Sequence, residues 1–298
     1  RRYADLNAGV REATRLANAM HHKFAVHGLP FSGGKGVILQ DDAGADDRSL
    51  FERRLTAYGK FVGRLNGVFG TGPDMGIGSR ELEVLGAACE HISGIAHHAE
   101  ASDATAAGVR ACLERTLQGV QGKRIAIIGV GAVGSALARM LAERGASLLL
   151  ADVNAERVAA LAVELAADVV TPAEALVADV DALSPCAAGD VFDSAAIDAL
   201  RCKVVCGAAN NQLCDPDEEH ANHLAARGIT YVPDFVANGG AAVLLCGCSP
   251  GPLSESVETA ATKVGETLGA VTARADAEGL TRLAAAIRIA RSFVAARR

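Results

Sequence analysis

Residues 28–39, GLPFSGGKGVIL, set one lysine, Lys35, among four glycines. Loops of glycine and lysine commonly cradle phosphate, but the spacing here is wrong for that. A Walker A loop requires Ser or Thr directly after Gly-Lys to hold magnesium. Here Gly36 follows Lys35, and Gly28 stands one residue too far from Gly34. The lysine itself is therefore the candidate for chemistry. Lysine serves as a base near neutral pH when burial and a neighbouring cation lower its pKa, and Lys23, in NAMHHKFAVHGLP, is the nearest preceding lysine. Asp74, in TGPDMG, adds a carboxylate as a third candidate. Taken singly, a lysine is ordinarily a solvated surface residue and an aspartate beside glycine a turn former.

A second glycine loop suits phosphate better. RIAIIGV runs into Gly129, Val130, Gly131, Ala132, Val133 and Gly134, then into SALARMLAERG. GxGxxG alone is a weak signal. Here it has a strand before it, a helix after it and a second strand, SLLLA, beyond. Asp152 then stands near the offset of about 20 residues expected for a carboxylate that accepts ribose hydroxyls. Asp152 would repel a 2′-phosphate, and Arg157 is a turn away, so NAD is favoured over NADP. A dinucleotide domain joined to a separate N-terminal domain suggests hydride transfer, with Lys23, Lys35 and Asp74 facing the cleft.

The elements that must position these residues fall into three stretches. Residues 1–118 read as a substrate domain: helices over 9–27, 47–65, 79–92 and 104–118, a short strand at VILQ (37–40), and a turn-rich segment, VFGTGPDMGIGS. Residues 119–250 read as a Rossmann-type, doubly wound NAD-binding domain. Short apolar runs (RIAIIGV, SLLLAD, DALSP, KVVCGAA, ITYVPD) alternate there with helices, the pattern of a parallel sheet. Residues 251–298 read as helices returning to the first domain. The fold class is thus α/β with two domains.

Composition narrows the function classes. Of 298 residues, 50% are apolar and 21% charged, with a net charge of −6. That charge gives no reason to expect nucleic-acid or anionic-membrane partners, and no apolar run approaches the roughly 20 residues of a membrane span. Cys89, Cys112, Cys186, Cys202, Cys206, Cys214, Cys246 and Cys248 form no CxxC pair, and His21, His22, His27, His97 and His98 follow no metal-like pattern. The reading is reduced, inert thiols in a reducing, cytoplasmic setting, with no metal.

The sequence resembles the glutamate/leucine/phenylalanine/valine dehydrogenase family of NAD(P)-dependent amino acid dehydrogenases. AMHHKFAVHGLPFSGGKGVI matches the family's Met-x-x-Lys helix and Gly-Leu-x-x-Gly-Gly-Gly-Lys loop, with Ser32 at the first loop glycine. TGPDMG matches Thr-x-x-Asp-x-Gly, and SPCAAG, VVCGAANNQL and YVPDFVANGG resemble nicotinamide-side segments. The resemblance implies that Lys23 pairs with the substrate α-carboxylate and that Lys35 is the acid/base that activates water. It further implies that Asp74 assists proton transfer at the amino nitrogen, that Asn238 positions the substrate, and that Thr105, Cys186, Ala187 and Asn210 lie on the cofactor side. It implies a homo-oligomer whose small-molecule substrate is an amino acid.

Three departures stand out. The family carries some tens of residues before the Met-x-x-Lys helix, so the chain is expected to be an N-terminally truncated fragment. IAHHAEASDA, before Thr105, lacks the usual glycines and prolines, and Asn-Ala-Gly-Gly is replaced by Asn-Gly-Gly-Ala. Gly72 stands where aliphatic-specific members tend to carry alanine, which enlarges the pocket. Ala261 and Val264 are expected to line the same pocket, tilting specificity toward a large apolar amino acid. The leading expectation is an apolar L-amino acid dehydrogenase of the Leu/Val/Phe type. The alternative is a non-catalytic NAD-binding sensor or assembly subunit of the same fold.

Overall fold

A computed structural model describes residues 5–39, 47–72, 76–92, 97–214, 217–246 and 255–297. Helices α1 (Leu6–Val26), α2 (Arg48–Arg64), α3 (Ser79–Ala88) and α4 (His98–Leu117) come first. Asp5 and Asp47 cap α1 and α2 by accepting from Ala8 N at 2.7 Å and Leu50 N at 3.0 Å, the ordinary way of satisfying an orphan N–H at a helix start. α3 stops at Ala88 because Cys89 turns into extended backbone. α4 begins at His98, earlier than the position expected from the sequence.

The expected strand at 37–40 is not formed. Residues 37–39 are irregular, residue 40 lies outside the described residues, and no strand pairs with the segment among those described. Ile38 instead packs on a small core of Leu55, Val62, Leu82, Leu85, Cys89 and Ile92 between α2 and α3. An apolar run there is explained by packing without a ladder.

The remainder alternates strongly: β1 (Arg124–Ile128), α5 (Ala132–Ala142), β2 (Ser147–Ala151), α6 (Ala155–Leu165), β3 (Asp168–Val169), α7 (Pro172–Leu176), β4 (Ala182–Pro185), α8 (Ser194–Ala199), β5 (Val204–Val205), α9 (Asp217–Ala226) and β6 (Thr230–Tyr231). Then come α10 (Asp234–Ala237), α11 (Gly240–Leu245), α12 (Val257–Glu278) and α13 (Arg282–Ala295). The six strands are parallel in the order β3-β2-β1-β4-β5-β6. β1 lies at the centre, with Ile127 opposite Leu150 on one side and Ser184 on the other. The order reverses about β1, so the crevice for a ligand opens at the carboxyl ends of β1 and β4.

The large core joins the sheet to α4, α12, α13 and the end of α1, including Ala25 and Val26. α12 packs along α4, and α13 returns to pack on α1. Gly108 on α4 lets Val264 and the Ala237 carbonyl approach closely. Among the described residues no helix is long and apolar enough to cross a membrane.

Candidate active site

The crevice at the switch point is formed by the glycine loop after β1 and the loop after β4. Gly129 leaves β1 with φ of 98°, a conformation costly for residues with a side chain. A Cβ there would press on Ala187, which follows β4, so the two loops meet at that point. Cys186 N is held by the Ile128 carbonyl at 2.7 Å, and burial pushes its thiol up. Gly131 caps α5 with φ of −70° and no side-chain cap, and a Cβ placed on it meets nothing. Free N–H groups at the start of α5, with space before them, fit a pyrophosphate. Ala132 and Val133 open the helix, and Gly134 is buried against the Gly129 carbonyl. Asp152, just past β2, accepts from Val130 N at 2.7 Å and from Asn154 N at 2.8 Å. Its carboxylate is thereby fixed beside the loop.

The other glycine loop is squeezed on three sides. A Cβ at Gly33 would overlap the backbone of α1 at Ala17 and His21, one at Gly34 would lie 2.6 Å from the Phe69 ring, and one at Gly36 would strike the Tyr58 hydroxyl. The glycines let Lys35 lie close to α1. His21 Nδ1 and Ser32 Oγ, 2.9 Å apart, tie the loop to the same helix. Lys35 is half-buried, and that burial lowers its pKa below the ordinary lysine value.

Lys23 projects from α1 and is 8% exposed. Its Nζ donates to Asn210 Oδ1 at 3.5 Å. Asn238 Nδ2 donates to the same oxygen at 2.8 Å and to the Ala208 carbonyl at 3.0 Å, while Asn238 Oδ1 is buried without a hydrogen-bond partner. Burial brings the Lys23 pKa down to about 8, with Asp234 opposing the fall and Lys35 adding to it. The two ammonium groups are thus close enough to repel, and burial lowers the pKa of both.

The structure therefore brings together Lys23, Lys35, Asn210 and Asn238. Thr105 is nearby: a Cβ on Gly240 would overlap the Ala104 carbonyl and lie 3.1 Å from Thr105 N. Its hydroxyl is turned back to Ala101 O at 2.9 Å. Gly72 is half-buried, beside the segment containing Asp74, which lies outside the described residues. Ala261 and Val264 are fully buried, Val264 against Gly108 in the α4–α12 contact.

Three contacts were not evident from the sequence. Arg15 of α1 pairs with Asp190 at 2.9 Å, on the loop after β4. Asp234, in YVPDF, is buried facing Lys23. His27 sits between Val236 O (3.2 Å from Nε2) and Thr267 Oγ1 (3.0 Å from Nδ1). Burial pushes its pKa down to about 4, and because the Val236 carbonyl can only accept, Nε2 carries the ring proton. A Cβ on Gly239 would fall on this ring, which explains why alanine does not follow Asn238 here. For Asp234 and His27 the only sequence signal is position inside a recognised motif, whereas Arg15 and Asp190 lie outside all of them.

Over 295 residues the chain is 32% identical to the L-tryptophan dehydrogenase of Nostoc punctiforme, covering 97% of this chain and 82% of that protein. The chain belongs to the Glu/Leu/Phe/Val dehydrogenase family. A family model described as "Glu/Leu/Phe/Val dehydrogenase, dimerisation domain" matches residues 2–91. The valine dehydrogenase of Streptomyces albus is 34% identical over 312 residues, covering 98% of this chain and 82% of that one. The leucine dehydrogenase of Thermoactinomyces intermedius is 32% identical over 251 residues, covering 81% and 67%. The crystal structure of the Nostoc enzyme superposes with a TM-score of 0.78 at 30% identity, covering 98% of this chain and 85% of that one. Residues 124–211 also match a model described as "NADP oxidoreductase coenzyme F420-dependent". These matches make this member of the Glu/Leu/Phe/Val dehydrogenase family an amino acid oxidoreductase with a nucleotide-binding fold.

Proposed function

We propose that the chain catalyses reversible, NAD-dependent oxidative deamination of an apolar L-amino acid to the 2-oxo acid and ammonium. The observation that carries this reading is the pairing of two desolvated lysines, Lys23 and Lys35, beside the Asn210–Asn238 contact. Asn210 follows β5, on the carboxyl-end side of the sheet that also carries the dinucleotide cradle. NAD bound in that cradle supplies the acceptor for the Cα hydride.

The chain's own residues do the rest. Lys23 pairs with the α-carboxylate and fixes the substrate against Asn238. Lys35, its pKa lowered by burial, takes a proton from the water that attacks the iminium carbon and returns it as the carbinolamine breaks down. Asp74 takes the proton-transfer role at the amino nitrogen that the family resemblance gives it. Thr105, Cys186, Ala187 and Asn210 line the cofactor side, and Gly72, Ala261 and Val264 belong to the side-chain end of the pocket. Asp152 favours NAD, because a carboxylate held beside the glycine loop accepts ribose hydroxyls and repels a 2′-phosphate. We read residues 1–118 with 251–298 as the substrate lobe and 119–250 as the NAD lobe. Homo-oligomerisation is supported by the dimerisation-domain match. The free thiols of the described cysteines support a cytoplasmic setting.

Purified protein should reduce NAD in the presence of leucine, valine, phenylalanine or tryptophan, and reduce NADP more slowly. Thermal stabilisation by NAD without turnover of any amino acid would instead favour a non-catalytic sensor or assembly subunit. Gly131→Ala gives a separate check on the cradle. The substitution is compatible with φ of −70° and adds a methyl to open space, so stability should stay within about 0.5 kcal/mol of wild type. The same methyl stands where pyrophosphate must approach, and the Kd for NAD should rise about tenfold or more. Calorimetry of unfolding and of NAD binding reads both.

A further inference from the structure

Asp234 is a buried carboxylate that the reaction above does not use. It is 6% exposed and occupies the first position of α10, directly after Pro233. Its Oδ2 accepts from Asn211 N at 2.6 Å, and the Phe235 backbone N–H also points to it. Asn211 adopts a left-handed conformation, φ 51°, and the Asp234 bond clamps that turn. The residue before it, Asn210, receives both Lys23 and Asn238 on one side-chain oxygen. Asp234 therefore reaches Lys23 in two ways, through its charge and through the turn that aims Asn210.

We propose that Asp234 is a positioning residue that keeps Lys23 charged and aimed as the anchor for the substrate carboxylate. The assignment rests on reading Lys23 as that anchor. Burying an ammonium group disfavours its charged form unless an opposite charge faces it. The groups acting on Lys23 are Asp234, which attracts it, and Lys35, which repels it; His27, on the same helix, is buried and neutral. Asp234 itself is pushed up by burial and held down by the Asn211 N–H and by Lys23. Beside it, Tyr231 is pushed well up by burial and by the Asp234 charge and stays a neutral phenol. The balance leaves Lys23 at about 8, so a further loss of negative charge discharges it within the working range of pH.

The test uses the full chain saturated with NADH, without ammonium, and titrates 4-methyl-2-oxopentanoate from about pH 6.5 to about pH 9.5 against wild type, Lys23→Ala, Asp234→Asn and Asp234→Glu. This probe is an anion throughout that range, so any pH dependence belongs to the protein. Wild-type affinity should fall as pH rises through the Lys23 pKa of about 8. In Asp234→Asn, which keeps an acceptor for Asn211 N, the Lys23 pKa drops and the fall begins lower. With the Lys23 pKa one step lower, the variant should bind about fivefold more weakly than wild type near pH 8, approaching tenfold near pH 9.5, but within about threefold near pH 6.5, one pKa step being a factor of ten. Asp234→Glu, which keeps the charge, should retain the wild-type midpoint. An unchanged Asp234→Asn profile, equal weakening at every pH, or a Glu profile displaced like that of Asn would each overturn the assignment of Asp234. Wild-type affinity in Lys23→Ala would overturn the anchor beneath it. No binding by wild type at any pH would overturn both, together with the amino acid reading.

Discussion

Lys35→Ala should lose about 10²–10⁴-fold in kcat, the usual worth of a positioned acid/base, while the Kd for NAD stays within about twofold. The loop proposed to hold the cofactor is a different one, after β1, so the two effects separate cleanly. The direction of the pH dependence follows from burial. Protonated Lys35 cannot act as base, so deamination rises with pH as the ammonium discharges. That rise should be centred below the ordinary lysine value, because burial lowers the Lys35 pKa. Lys35→Arg keeps the charge but not the titration and should lose the rise along with the rate. Steady-state kinetics across pH, with NAD binding measured in parallel, provides the check. Wild-type turnover in Lys35→Ala would remove this lysine from the chemistry.

Gly33→Ala should be the most damaging change in the loop that removes no polar side chain. Its methyl would overlap the α1 backbone at Ala17 and His21, and a helix backbone cannot step aside as a side chain can. Overpacking of this kind costs about 1–3 kcal/mol. If the loop lifts instead, Lys35 moves with it, and a displacement of about 1 Å costs on the order of 10²-fold in rate. The expected result is a lowered unfolding midpoint with kcat reduced about 10²-fold. Gly34→Ala and Gly36→Ala meet the Phe69 and Tyr58 side chains, which can swing aside where a helix backbone cannot, and should be milder. A ranking with Gly33 mildest would contradict the close approach described for α1.

The legible parts of the sequence were those whose signal is local. GVGAVG, the strand before it and Asp152 after it lie within one βαβ unit, so their arrangement could be read directly. β3 is only Asp168–Val169 and carries no run long enough to notice. VILQ has strand composition, yet its apolar side chains serve the α2–α3 core rather than a ladder. The start of α4 was hidden because IAHHAEASDA has neither a helical apolar stripe nor a breaker. At the site, the sequence supplied Lys23, Lys35, Asn210 and Asn238 as separate motifs, and tertiary folding supplied their convergence. Asp234 was illegible for a physical reason: aspartate after proline reads as an ordinary helix start, and only burial opposite Lys23 gives it another meaning. His27 likewise reads as one histidine among several until Gly239 is seen to make room for it.

The packing of α1 on α13 has a consequence for the order of assembly. The helix that carries Lys23 buries its apolar face against residues 282–295, at the far end of the described chain. During synthesis α1 emerges long before α13 and waits for its partner until the sheet between them has been made. Contacts of such long sequence separation close late and slow folding. The parallel sheet and α4 can consolidate earlier, but the Lys23 helix has its full packing only once α13 docks. The glycine loop after β1 should therefore mature before the site around Lys23, and α1, left unpartnered in the interval, is the segment through which a nascent chain would be captured by chaperones.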